Sequence, residues 1–157
     1  MPIFPASRRA VDAATDVRWR EQPVPPLLQA IATAAAVVAR ADGRVDPVER
    51  RKLGAYLRGC RARGLDVLLA RRLFDESVRE LEREPAREQR TLVRVLAGFE
   101  GTPWAWIILR TAEHVAAADG AVRDSEARAI DTIRTALSLP SGVPERYPAC
   151  VLRPVRA

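Results

Sequence analysis

Four carboxylates with a repeated spacing are the side chains of this sequence best suited to binding chemistry. Asp42 and Glu49 lie in the phrase Ala-Arg-Ala-Asp-Gly-Arg-Val-Asp-Pro-Val-Glu, while Asp119 and Glu126 lie in Ala-Ala-Ala-Asp-Gly-Ala-Val-Arg-Asp-Ser-Glu. Carboxylate oxygens bind hard divalent cations or the basic side chains of a partner. We expect the two phrases to form one acidic cluster, with these members: Asp42, Glu49, Asp119 and Glu126, and Asp46 and Asp124 on its rim.

The pattern Asp-Gly-x-Val-x-x-x-Glu resembles the second half of a calcium-binding loop. The preceding ligand positions of such a loop are occupied by Val38 and Arg40 in the first phrase and by Val115 and Ala117 in the second. None of these offers a side-chain oxygen, so a complete calcium loop is not expected. If a divalent cation such as calcium binds, we expect weak binding, shared between the two phrases and completed by water.

The positions of Asp42 and Asp119 leave two interpretations open. Each follows an apolar segment with helical spacing, and the C-terminal end of a helix disfavours a carboxylate. One interpretation is a site for a cation or a basic partner group. The other is structural: the acids cap the following helices and are neutralised by nearby arginines, namely Arg40, Arg50, Arg51 or Arg128.

The two phrases belong to longer segments that align with each other, residues 27–60 with residues 104–137. Each segment predicts a helix, a glycine turn at Gly43 or Gly120 and a second helix. In the first segment, Asp46, Pro47 and Glu49 have the pattern of an N-cap with a capping box. The intervening residues also have helical periodicity. The sequence therefore predicts an all-α, internally duplicated bundle of about six or seven helices.

Composition supports a helical domain. Of the 157 residues, 48% are hydrophobic but only 5% are aromatic, and the mean hydropathy is −0.14. Strands favour aromatic and β-branched residues, so the alanine- and leucine-rich chain favours helices. We expect a proline-containing arm over 1–25, a helical domain over 26–140 and an irregular tail over 141–157.

Other features predict what the protein does not do. The net charge of +6 comes almost entirely from arginines, which are scattered among acids and indicate a solvated surface. A nucleic-acid-binding role is the alternative. His114 has no accompanying nucleophile, so no enzyme activity and no small-molecule substrate are expected. Cys60 and Cys150 form no disulfide or zinc pattern, and no segment is apolar enough to span a bilayer, which favours the cytoplasm.

The doubled phrase, Ala39 to Glu49 and Ala116 to Glu126, resembles the TerB-like tellurite-resistance family. The resemblance covers roughly residues 25–140. It implies a duplicated helical bundle with acidic residues on one face and a bacterial stress-response role. It also implies work with a membrane-associated protein partner at the inner side of the cytoplasmic membrane. Relatives attached to J-domains in co-chaperones provide an alternative role.

Overall fold

The computed structural model describes residues 24–59 and 66–142, and these residues contain helices but no strand. The helices are α1 (Val24–Arg40), α2 (Pro47–Gly59), α3 (Val67–Arg83), α4 (Pro85–Ala97), α5 (Trp104–Ala116) and α6 (Asp124–Ala136), with a 3-10 turn at Ala117–Asp119. The all-α prediction is confirmed. Several predictions concern residues outside these ranges: most of the N-terminal arm, Cys60, and nearly all of the tail with Cys150.

Helix α1 lies at the centre of the bundle, with its most extensive packing against α3 and α5. Half of its buried residues are alanines that are all 0% exposed: Ala30, Ala32, Ala34, Ala35, Ala36 and Ala39. Because a methyl group fills little space, the backbones of the neighbouring helices can approach α1 closely. The helix begins at Val24, inside the predicted arm, and accommodates Pro25 and Pro26 in its first turn, where a proline interrupts no hydrogen bond.

Helix α5 is the second extensively buried helix, and Ile107, Ile108 and Leu109 on it are completely buried. The other helices bury one face each. Their largest contributions to the core are Leu53, Phe74, Leu96 and Ile133. The two helices predicted to open the repeated segments are thus the two central ones. The internal duplication itself stays a prediction.

Both predicted glycine turns are present. Gly43 has a φ of +94° and Gly120 has a φ of +101°, a left-handed conformation in which a side chain would be strained. The guanidinium of Arg40, in the last turn of α1, donates to the carbonyl oxygen of Gly43. These turns connect α1 to α2 and, after the 3-10 turn, α5 to α6.

Candidate functional site

A cavity of about 650 Å³ lies between the two glycine turns. Its lining consists of Asp42, Arg44, Val45, Asp46, Pro47, Glu49, Asp119 and Arg123. The structure therefore brings Asp42 and Asp119 together, as the sequence predicted. Four carboxylates from two distant parts of the chain surround one space, although two arginines lie among them.

The guanidinium of Arg123 connects the two turns. One of its terminal nitrogens contacts Oδ2 of Asp42, and the other lies 3.2 Å from Oδ2 of Asp119. A guanidinium presents several N–H donors in a planar fork, so a single side chain can bind both carboxylates. The Asp42 side chain is only 16% exposed, whereas that of Arg123 is 55% exposed. The arginine thus reaches over the acidic pair from the solvent side.

Asp42 and Asp119 make equivalent local hydrogen bonds. Oδ1 of Asp42 accepts from the backbone N–H of Arg44 at 3.0 Å, and Oδ1 of Asp119 accepts from the N–H of Ala121 at 3.2 Å. Each carboxylate therefore uses one oxygen to close its own turn and the other to bind Arg123. These interactions offset the unfavourable position of an acid after the end of a helix.

Two buried glutamates anchor the helices that follow the turns. Oε2 of Glu49 accepts from the N–H of Asp46 at 2.7 Å, and Oε2 of Glu126 accepts from the N–H of Arg123 at 2.7 Å. Oδ1 of Asp46 accepts from the N–H of Val48 at 2.7 Å. The predicted capping arrangement of Asp46 and Glu49 is thus present. Glu49 and Glu126 are only 5% and 1% exposed.

The environment of Glu49 favours its neutral form. Burial, the largest influence, raises the pKa of Glu49 from 4.5 to about 7, and the negative charges of Glu126, Asp119 and Asp46 act in the same direction. The hydrogen bond from the Asp46 backbone opposes this rise. The Glu49 carboxyl group therefore gains or loses its proton near neutral pH, and the net charge of the cavity changes with it.

Only one of the three remaining predicted members of the cluster lines the cavity. Asp46, predicted for the rim, lines it. Glu126 is buried at the start of α6 and is not among the lining residues, while Asp124 is exposed and does not line the cavity either. The part of the chain around α6 therefore contributes fewer carboxylates to the cavity than the repeat predicted.

Arg123 lies in this cavity but was not predicted from the sequence. The structural interpretation, one of the two left open, assigned neutralisation to Arg40, Arg50, Arg51 or Arg128. In the structure, Arg40 donates to a carbonyl and Arg50 pairs with Asp75 at 2.7 Å. The aligned repeats did contain a signal, because Arg123 occupies the position of Asp46. This reversal of charge at equivalent positions replaces a capping carboxylate with a guanidinium that can reach both turns.

The carboxylates of the site are occupied by hydrogen bonds and ion pairs within the protein. Throughout the described ranges, no three His, Cys, Asp or Glu side chains are grouped so that they could hold a metal ion. The acidic pair shares the Arg123 guanidinium, and each buried glutamate holds a backbone N–H. These carboxylate oxygens are thus occupied by contacts within the protein, and the calcium prediction stays untested.

His114, Trp104 and Trp106 are buried side chains of α5. The His114 ring stacks on Tyr56 with ring centres 4.3 Å apart, between α5 and α2, and Trp104 and Trp106 are 6% and 2% exposed. Within the described residues, none of the helices has the length and apolar character needed to cross a membrane.

The fold and the cavity define a helical domain with two acidic glycine turns joined at one site. A family model described as "Tellurite resistance protein TerB" matches residues 28–146, which is more than half of the chain. The chain therefore belongs to the TerB family, as the doubled phrase predicted. Comparisons with curated proteins and with solved structures gave no match.

Proposed function

We propose that this TerB-family domain is a non-enzymatic accessory protein in bacterial stress and tellurite resistance. Its cavity between the two turns binds a basic side chain of a membrane-associated protein partner. In this role the domain acts in the cytoplasm, at the inner side of the membrane. A co-chaperone role would use the same cavity with a different partner.

The position of Arg123 is the single observation that carries this proposal. Its guanidinium already lies between the carboxylates of Asp42 and Asp119, so the cavity has the charge and the spacing that a guanidinium requires. Because the Arg123 side chain is 55% exposed, a partner's arginine can displace it without disturbing the core. Arg123 then acts as an internal substitute for the partner.

The alternatives fit the cavity less well. A divalent cation needs several free carboxylate oxygens, whereas those of Asp42 and Asp119 hold N–H groups and a guanidinium. A nucleic acid presents phosphates, which four lining carboxylates repel. A basic side chain of a partner protein needs only to replace the Arg123 guanidinium between the two carboxylates.

Neutralising the acidic pair tests the proposal directly. The double variant Asp42→Asn, Asp119→Asn is expected to lose a membrane protein that the wild-type domain captures from a detergent-solubilised bacterial membrane fraction. The matched control, Asp124→Asn with Asp131→Asn, removes two exposed carboxylates from α6 and is expected to capture the partner normally. Mass spectrometry of the bound proteins provides the readout. Equal capture by both double variants contradicts the proposal.

Removing the internal guanidinium should have the opposite effect on binding. We expect Arg123→Gln to bind a short peptide with one central arginine about tenfold more tightly than the wild type, because the peptide no longer competes with Arg123. The same variant should lose up to about 1 kcal/mol of stability with its exposed ion pairs. Arg123→Lys, which keeps the charge, is the control. Isothermal titration measures both affinities, and unchanged or weaker binding to Arg123→Gln assigns Arg123 a purely structural role.

A further inference from the structure

Helix α4 carries a row of arginines that lack the ion pairs found elsewhere in the protein. Arg87, Arg90 and Arg94 are exposed and follow a spacing of three and four residues, which places them on one side of the helix. Among the described residues, no acid lies within ion-pair distance of Arg90 or Arg94. Arg87 has one distant contact, 3.9 Å from Glu84.

The arrangement of these arginines distinguishes α4. Elsewhere some exposed arginines have close acidic partners, since Arg50 contacts Asp75 at 2.7 Å and Arg72 contacts Glu76 at 3.1 Å. Other exposed arginines, such as Arg51 and Arg128, have no ion pair within the described residues, but they do not form a row of three on one side of a described helix. The only acid of α4, Glu88, is half-buried and interacts with Ser77 of α3. The exposed side of α4 is therefore basic along its length.

The opposite side of α4 attaches the helix to the bundle. Leu92 and Leu96 are 2% and 0% exposed, so the orientation of the helix is fixed by the core. Val93 lies next to the arginine row and is 47% exposed, one of three large apolar side chains with this degree of exposure among the described residues. The outward surface thus combines three positive charges with one apolar contact point.

We propose that this surface of α4 docks an acidic, amphipathic helix of a partner protein. The row from Arg87 to Arg94 extends about 10 Å at the rise of an α-helix. Glutamates spaced three and four residues apart on a partner helix have the same repeat, so carboxylates and guanidiniums can pair along both helices. Val93 adds an apolar contact between the two.

Two other anionic partners agree less well with the surface. Glu82 and Glu84 are exposed immediately before α4 and repel a phosphate backbone that continues along the row. A bilayer surface requires several large apolar side chains for insertion, whereas Val93 is the only large apolar side chain that α4 exposes so strongly. An acidic protein helix can bind to a short row of arginines with one apolar contact beside it.

A peptide of defined sequence tests this proposal. The probe is a labelled helical peptide of about 20 residues, with glutamates spaced to match Arg87, Arg90 and Arg94 and with leucines beside them. We expect binding that weakens with salt and that falls at least about tenfold in the variant Arg90→Glu, Arg94→Glu. Fluorescence anisotropy measures the affinity, and circular dichroism verifies that the exposed substitutions leave the fold intact.

Matched controls separate this surface from general electrostatics and from the acidic cavity. Arg51→Glu with Arg58→Glu makes the same change of charge on exposed positions of α2 and should bind the peptide normally. Asp42→Asn with Asp119→Asn should also bind normally, because the cavity is a separate site. The proposal is overturned if the peptide does not bind or binds both arginine variants equally. It is also overturned if a single-stranded oligonucleotide or phosphatidylglycerol vesicles bind α4 more tightly than the peptide does.

Discussion

Replacement of Phe74 by alanine is expected to lower the free energy of unfolding by about 3–5 kcal/mol. Phe74 is a large aromatic side chain with only 1% exposure, and it lies on the face of α3 that packs into the core. Its removal loses the transfer free energy of an aromatic ring and leaves a cavity that close-packed helices cannot fill. A loss of this size is a large fraction of the stability of a small domain.

Chemical denaturation, monitored by helical circular dichroism, measures this loss. Leu68→Ala, on the same helix but at a position that is 77% exposed, is the control and should change stability by less than about 0.5 kcal/mol. If the two substitutions cost the same, Phe74 does not pack in the core that the structure describes.

The second large effect concerns pH. Glu49 has a pKa of about 7 in the folded protein against 4.5 for an ordinary glutamate, so the folded state binds its proton more tightly. The stabilisation from this proton is complete below about pH 4.5 and is lost as the pH rises through 7. The total loss is on the order of 3 kcal/mol. Glu49→Gln cannot ionise and still accepts the Asp46 hydrogen bond, so it should exceed the wild type in stability at pH 8.

Unfolding curves between pH 4.5 and pH 8 for wild type and Glu49→Gln check this expectation. The difference in unfolding free energy should be near zero at the acidic end and should increase toward pH 8. Glu82→Gln, an exposed position, is the control and should follow the wild-type curve. A pH-independent difference between wild type and Glu49→Gln contradicts the raised pKa.

The sequence predicted the helices and turns well because those features depend on local chemistry. The left-handed glycines, the Asp46 N-cap and the Glu49 capping bond all involve residues at most three positions apart. The helical domain was expected to begin at residue 26, and the first helix begins two residues earlier, at Val24. The meeting of the two acidic turns was also predicted, from the repeat.

Ion-pair partners could not be predicted in the same way. Arg123 and Asp42 are 81 residues apart, and their contact depends on how α6 and the first turn pack. Similarly, the scattered arginines gave no means of distinguishing Arg50, which has Asp75 beside it, from Arg90 and Arg94. Whether a surface arginine forms an ion pair depends on the acidic side chains that folding brings close to it.

The buried alanines of α1 have a consequence for how the bundle is held. Alanine has no rotamer to immobilise, so half of the buried residues of the central helix are buried without loss of side-chain entropy. The methyl groups of these alanines cannot adjust to a displaced neighbour, because they have no torsion that could fill a gap. Both acidic turns begin where α1 and α5 end, so the close packing of these two helices determines the positions from which the acidic loops extend.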